Sequence, residues 1–264
     1  MVPKLLAIDL DGTTLNSQGT ISEKNKTYLR KITETGAQLV IATGRSVYSA
    51  SDFLETIGVQ SAYIVPLNGS AVFKWQNPEP LMVTEMPTGL VHEIVANGDS
   101  DQVNIYFSTI KNSYVLIRDE SLMSLFIKSL ELNYIHDLSE MGSDIDHISK
   151  MLYCTKNPAI LTQLIEQTEA LAVEAVKPDD MCLELTVENT SKADGLRYLG
   201  EQLGIQASEM AAVGDSENDF EMLKYVGNGI VMANGMPHIK AIADYVTLSN
   251  DEDGLAHAIA HLLK

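Results

Sequence analysis

The apolar residues of this chain fall into short uninterrupted runs, each closed by a polar or turn residue, and the runs alternate with stretches of helical period. Leu5 to Ile8, Ala37 to Ala42, Ala62 to Pro66, Met210 to Val213, Gly229 to Met232 and Tyr245 to Leu248 read as strands. A continuous run, rather than strict alternation, is what a strand buried on both faces shows. Ser22 serves as an N-cap ahead of the stripe Tyr28, Leu29 and Ile32, and Thr35-Gly36 ends that helix. Further helices are predicted from Ser46 to about Ile57, through Leu196, Leu199 and Leu203 behind Ser191, through Phe220, Met222 and Leu223, over Pro237 to Ala243, and over Asp253 to Leu263. Strand–helix–strand alternation is the grammar of a parallel sheet with crossover helices.

That grammar breaks in the middle of the chain. Asn68-Gly69 reads as the turn of a hairpin, and Asn77-Pro78-Glu79-Pro80 as a break. Helix is then predicted over Thr88 to Asn97, Ser121 to Asn133 and Pro158 to Ala172. Strands are predicted over Val103 to Ser108, Ser113 to Arg118, Ile148 to Thr155, Val173 to Val176 and Met181 to Val187. Neighbouring strands without helices between them imply antiparallel pairing, hence an α+β module. The expected organisation is an α/β core domain, residues 1–85 and 186–264, with an inserted α+β domain at 86–185.

Composition narrows the function classes. The 264 residues carry a net charge of −18, a field that opposes nucleic acid and anionic membrane. No apolar run reaches the roughly 18 residues of a membrane helix. The N-terminus enters the first strand without a basic and apolar leader, so a cytoplasmic protein is expected. Cys154 and Cys182 lie in strand-like runs and are expected as buried free thiols.

Candidate chemistry collects at strand ends, where open parallel sheets bind ligands. Asp9 and Asp11, two residues apart on one strand, face the same way. Two close carboxylates repel, and such a pair needs a cation, a shared proton or a task. Thr43, Gly44 and Arg45 follow the second strand, Asn68 the third, and Asp215, Asn218 and Asp219 the strand at Met210; Lys192 opens a helix. Singly, each has an ordinary explanation as a cap, a turn or a surface charge. Chance does not explain their shared placement.

These residues resemble the motifs of the haloacid dehalogenase superfamily of phosphatases, in its Cof-type, sugar-phosphatase-like branch. Asp9-Leu10-Asp11-Gly12-Thr13 matches the first motif, Thr43 within Ala42-Thr43-Gly44-Arg45 the second, Lys192 the third and Gly214-Asp215-Ser216-Glu217-Asn218-Asp219 the fourth. Ala193 stands where that branch usually has glycine after the lysine. The resemblance implies a Rossmann-like core with an inserted cap domain, and hydrolysis of small phosphorylated metabolites such as sugar phosphates. It implies Asp9 as the nucleophile and Asp11 as general acid and base. Mg2+ is implied as cofactor, held by the Asp9 carboxylate, the Asp11 carbonyl and Asp215, with Asp219 and Asn218 at or around the metal, orienting the metal site and Lys192. Thr43, Gly44 and Lys192 would hold the phosphoryl group, and Arg45 and Asn68 would reach substrate from the core side. Asp at position 11 and the lack of a membrane span set the chain apart from transport ATPases of the superfamily. A phosphomutase with the same groups, and a phospho-acceptor signalling domain, are the competing readings. A second phosphate clamp is not identifiable, and the inserted module exceeds a receiver of about 120 residues.

Overall fold

The computed structural model describes residues 2–125 and 132–264. The chain starts with β1 (Leu5–Ile8), α1 (Glu23–Glu34), β2 (Gln38–Ala42), α2 (Val47–Ile57), β3 (Tyr63–Val65), β4 (Ala71–Lys74) and β5 (Pro80–Val83). It continues through α3 (Thr88–Asn97), β6 (Asn104–Ser108), β7 (Ser113–Leu116), β8 (Leu132–Ile135), β9 (Lys150–Cys154), α4 (Pro158–Thr168), β10 (Val173–Val176) and β11 (Cys182–Val187). It closes with α5 (Lys192–Leu203), β12 (Met210–Gly214), α6 (Phe220–Tyr225), β13 (Asn228–Val231), α7 (Pro237–Lys240), β14 (Tyr245–Val246) and α8 (Gly254–Leu262). Two compact units result, Met1–Met82 with Ser191–Lys264, and Val83–Thr190.

The first unit holds a sheet of order β14-β13-β12-β1-β2-β3-β4-β5. The strands from β14 to β3 are parallel, and β4 returns antiparallel to β3 across the turn at Leu67–Gly69. β1 is buried along its whole length. Leu5 and Ala7 join one core cluster with Leu196, Leu199, Met222 and Leu223, while Leu6 and Ile8, on the opposite face, are also fully buried. Burial on both faces accounts for the uninterrupted apolar run in the sequence. From β1 the chain steps to β2 and β3 on one side, and β12 returns on the other. The resulting switch point sets the carboxyl ends of β1, β2, β3 and β12 side by side. β5 begins at Pro80, the last residue of the break that sequence reads: Pro80 lies at a sheet edge, where a missing N–H is tolerated.

The second unit is a six-stranded sheet of order β10-β11-β9-β6-β7-β8, antiparallel except for the β7–β8 pair. Alternate residues Ile105, Phe107, Met151, Tyr153, Leu183 and Leu185 form its core with α3 and α4 residues Val91, Ile94, Leu161 and Leu164. Two expectations are corrected here. The helix expected over Ser121 to Asn133 is a 3₁₀ segment only at Glu120–Leu125, residues 126–131 lie outside the described residues, and Leu132 and Asn133 belong to β8. Pairing with β7, a tertiary interaction, overrides local helical preference there. Cys154 and Cys182 are joined in a disulfide instead of standing as free thiols. The antiparallel register of β9 and β11 sets them directly opposite, with Cα atoms 4.4 Å apart. Nothing in a separation of 28 residues announces that register.

Candidate active site

Every site residue singled out from sequence belongs to the first unit. Asp9 follows β1 and is almost fully buried; Asp215 follows β12 and is partly buried. Asp9, Asp215 and Asp219 each present a carboxylate oxygen within 4.8 Å of the others. Lys192, the first residue of α5, is completely buried. Its Nζ donates to Asp9 Oδ1 at 2.6 Å and to Asp219 Oδ1 at 2.7 Å. α5 starts here because Asp194 Oδ2 accepts from both the backbone N–H and the hydroxyl of Ser191, closing the first turn.

Asp219 has a different task from Asp215. Its Oδ2 accepts the backbone N–H groups of Asp215 and Ser216 at 2.9 and 3.1 Å, while Oδ1 takes Lys192. Three of its four lone-pair positions are thus spent on protein donors. It holds the ammonium in place and shapes the turn that carries Asp215.

Burial drives the electrostatics. It pushes the Asp9 carboxyl up to about 8, opposed by Lys192 and reinforced by Asp219. Asp215 is pushed up to about 6 by burial and by the Asp219 carboxylate, with the Thr13 hydroxyl pulling the other way. Burial would lower the Lys192 ammonium, but Asp219 and Asp9 more than offset it and hold it above the ordinary lysine range. Asp9 and Asp219 thus share one ammonium, with the Asp215 carboxyl beside them. All the donors are hard oxygens, and such a cluster suits a small divalent cation that accepts carboxylate oxygen and retains water.

The loop behind β2 meets the loop behind β3. Thr43 is fully buried; its Oγ accepts the Arg45 N–H at 3.2 Å, and its carbonyl accepts the Asn68 N–H at 3.1 Å. Asn68 Oδ1 accepts from Asn218 Nδ2 at 3.1 Å, tying this loop to the one after β12. Gly44 lies against Asn68, close enough that a Cβ there would stand 3.0 Å from Asn68 Oδ1. Leu67 and Asn68 both adopt positive φ, 50° and 55°. Such backbone costs on the order of 1–3 kcal/mol per residue and persists only where its surroundings impose it. Arg45 points to Asp11: Nε donates to Oδ2 at 2.7 Å and a terminal nitrogen to Oδ1 at 2.5 Å. The Asp11 side chain lies outside the carboxylate cluster, 60% exposed.

Three supporting residues escaped sequence reasoning. Thr13 donates its hydroxyl to Asp215 Oδ1 at 2.8 Å. Thr14 donates to the Asp9 carbonyl at 2.5 Å. Asn234 Nδ2 donates to the Gly12 carbonyl at 2.7 Å. Thr13 stands inside the first motif, and Asn234 follows β13; the strand-end rule that found Asp215 reaches Asn234 as well.

Comparison with known proteins bears on family and fold. A family model described as haloacid dehalogenase-like hydrolase matches residues 6–259. The phosphatase YwpJ of Bacillus subtilis is 29% identical over 98% of this chain and 100% of its own. The 5-amino-6-(5-phospho-D-ribitylamino)uracil phosphatase YitU of the same organism is 30% identical over 96% of this chain and 95% of its own. The solved structure of a haloacid dehalogenase-like hydrolase from B. subtilis superposes with a TM-score of 0.88 at 27% identity, covering 98% of this chain and 99% of that one.

Proposed function

The chain belongs to the haloacid dehalogenase-like hydrolases, in their Cof-type branch, and is a phosphoric monoester hydrolase; from that premise we propose that it hydrolyses the phosphate monoester of a small polar metabolite through a phosphorylated Asp9. The observation that carries this reading is the buried Lys192 ammonium held between Asp9 and Asp219 at the switch point of the sheet.

In the proposed reaction an Asp9 oxygen attacks phosphorus as the bond to the leaving oxygen breaks, and Asp11 supplies the proton that oxygen needs. Water then attacks the aspartyl phosphate with Asp11 accepting its proton, releasing inorganic phosphate and restoring Asp9. Lys192 offsets the negative charge that nucleophile and phosphoryl group bring together, helped by the amino end of α5. Thr43, with the N–H groups of its loop, holds the phosphoryl oxygens. Mg2+, held by Asp9, the Asp11 carbonyl and Asp215, would supply the charge neutralisation that lets a carboxylate approach a phosphate dianion. Asp219 and Asn218 position this set.

The substrate class follows from charge and kinship. A net charge of −18 opposes a polyanionic polymer. The name of YitU describes a phosphorylated ribityl compound, a small polyol phosphate. A sugar or polyol phosphate is accordingly the proposed substrate. The Val83–Thr190 unit carries none of the motif residues, and we assign to it the choice of leaving group. The test is p-nitrophenyl phosphate hydrolysis with Mg2+ present. Asp9→Asn should abolish turnover with the fold intact by circular dichroism, and full activity in that variant overturns the reading.

A further inference from the structure

Arg45 makes a bond that phosphoryl binding does not require. Its guanidinium meets the Asp11 carboxylate fork to fork, Nε on Oδ2 at 2.7 Å and a terminal nitrogen on Oδ1 at 2.5 Å. Planar, two-point pairing of this kind fixes orientation as well as distance. Both hydrogen bonds recorded for the Asp11 carboxylate, among the described residues, come from Arg45. With 60% of its side chain exposed, that carboxylate has few packing contacts to hold it in one rotamer.

The guanidinium, in contrast, hangs from a fixed backbone. The Arg45 N–H is bound to Thr43 Oγ, and the Arg45 carbonyl accepts the Leu67 N–H at 3.0 Å. Leu67 itself is held at a φ of 50°. On the other side the first-motif loop is anchored independently: the Leu10 carbonyl accepts the Thr14 and Leu15 N–H groups, and the Gly12 carbonyl accepts Asn234. The pair therefore joins two loops that are already set, and the only free torsions it restrains are those of the two side chains.

We propose that Arg45 is a positioning residue for the proposed general acid and base: it sets the Asp11 carboxyl toward the leaving oxygen rather than gripping the phosphoryl group. This rests on the phosphatase reading of the site. A carboxyl that must meet one oxygen within hydrogen-bond range gains rate by being held there, and the gain is largest where the leaving oxygen most needs a proton.

That dependence separates positioning from phosphoryl binding. The variants Arg45→Ala and Arg45→Lys are compared with wild type on phenyl phosphate and p-nitrophenyl phosphate, two esters of similar shape whose leaving groups differ in basicity. Arg45→Ala should lower kcat/KM by about 10-fold or more on phenyl phosphate and by less than about 3-fold on p-nitrophenyl phosphate. Arg45→Lys keeps the charge without the fork and should show the same selectivity in milder form. Inhibition by inorganic phosphate should be unchanged in both. In an Asp11→Asn background, Arg45→Ala should add less than about 2-fold, because its effect runs through Asp11. Equal losses on both esters, a clear weakening of phosphate inhibition, or an undiminished effect in the Asp11→Asn background each overturn the proposal. Failure of the phosphatase mechanism itself shows separately, as turnover surviving Asp9→Asn.

Discussion

Lys192 is the residue on which the site's charge balance turns. It is fully buried, with carboxylates at 2.6 and 2.7 Å on either side. Lys192→Ala should lower kcat by on the order of 10²–10³, as loss of one electrostatic contact to a developing charge does. Steady-state kinetics on p-nitrophenyl phosphate checks this, and a loss below 10-fold would remove Lys192 from the mechanism. Gly12 is a second sensitive position. It adopts a φ of 76°, and a Cβ there would stand 2.5 Å from Asp215 Oδ2. Gly12→Ala should therefore both strain the turn, by on the order of 1–3 kcal/mol, and displace Asp215. The expected result is a lower melting temperature together with a higher Mg2+ requirement. The identities of Asp9, Thr43, Lys192 and Asp215 were legible in the sequence because each follows a recognisable strand or opens a recognisable helix. The partnership of Arg45 with Asp11 was not, since the direction of a long side chain depends on what its loop faces.

Among the elements, those set by period and caps emerge as read. α1 is capped by Ser22, whose hydroxyl accepts the Asn25 N–H, and α3 spans Thr88–Asn97 as its sequence predicts. Elements that depend on a partner do not. β5 and β8 exist because a neighbouring strand offers an edge. In the 3₁₀ segment Leu138–His147, Asp144 ties the segment to β7 and the turn before it by accepting the Tyr114 hydroxyl and Asn112 Nδ2, both at 2.7 Å. These bonds, Tyr114 first, hold the Asp144 carboxyl below its ordinary range. A depressed folded value means that the stabilisation is complete above the unfolded carboxylate value near 4 and fades as pH falls through the folded one. Asp144→Asn should accordingly melt below wild type at pH 7, with the gap narrowing as pH falls below the unfolded carboxylate value near 4. Thermal melts across that range test it, and a pH-independent difference contradicts the assignment.

At the scale of the molecule, the acidic cluster would couple folding of the first unit to the proposed Mg2+. Ionised together, Asp9, Asp215 and Asp219 would repel one another, and a bound divalent cation would relieve that repulsion. Mg2+ at 100 times its dissociation constant should stabilise by about 2.7 kcal/mol, and a chelator should reverse both the shift in melting temperature and the activity. An unchanged melting curve across a Mg2+ titration would count against this donor set. The alternation of apolar runs and helical stripes determined, by itself, the parallel core, the inserted α+β unit and the order of the motif residues, because burial periodicity and capping are local. Tertiary structure alone decided which distant residues meet. Arg45 with Asp11, Asn68 with Asn218 and Cys154 with Cys182 are products of strand order, register and loop packing. Sequence spacing carries no record of those, since a one-residue slip in register turns every side chain to the other face without altering the local pattern.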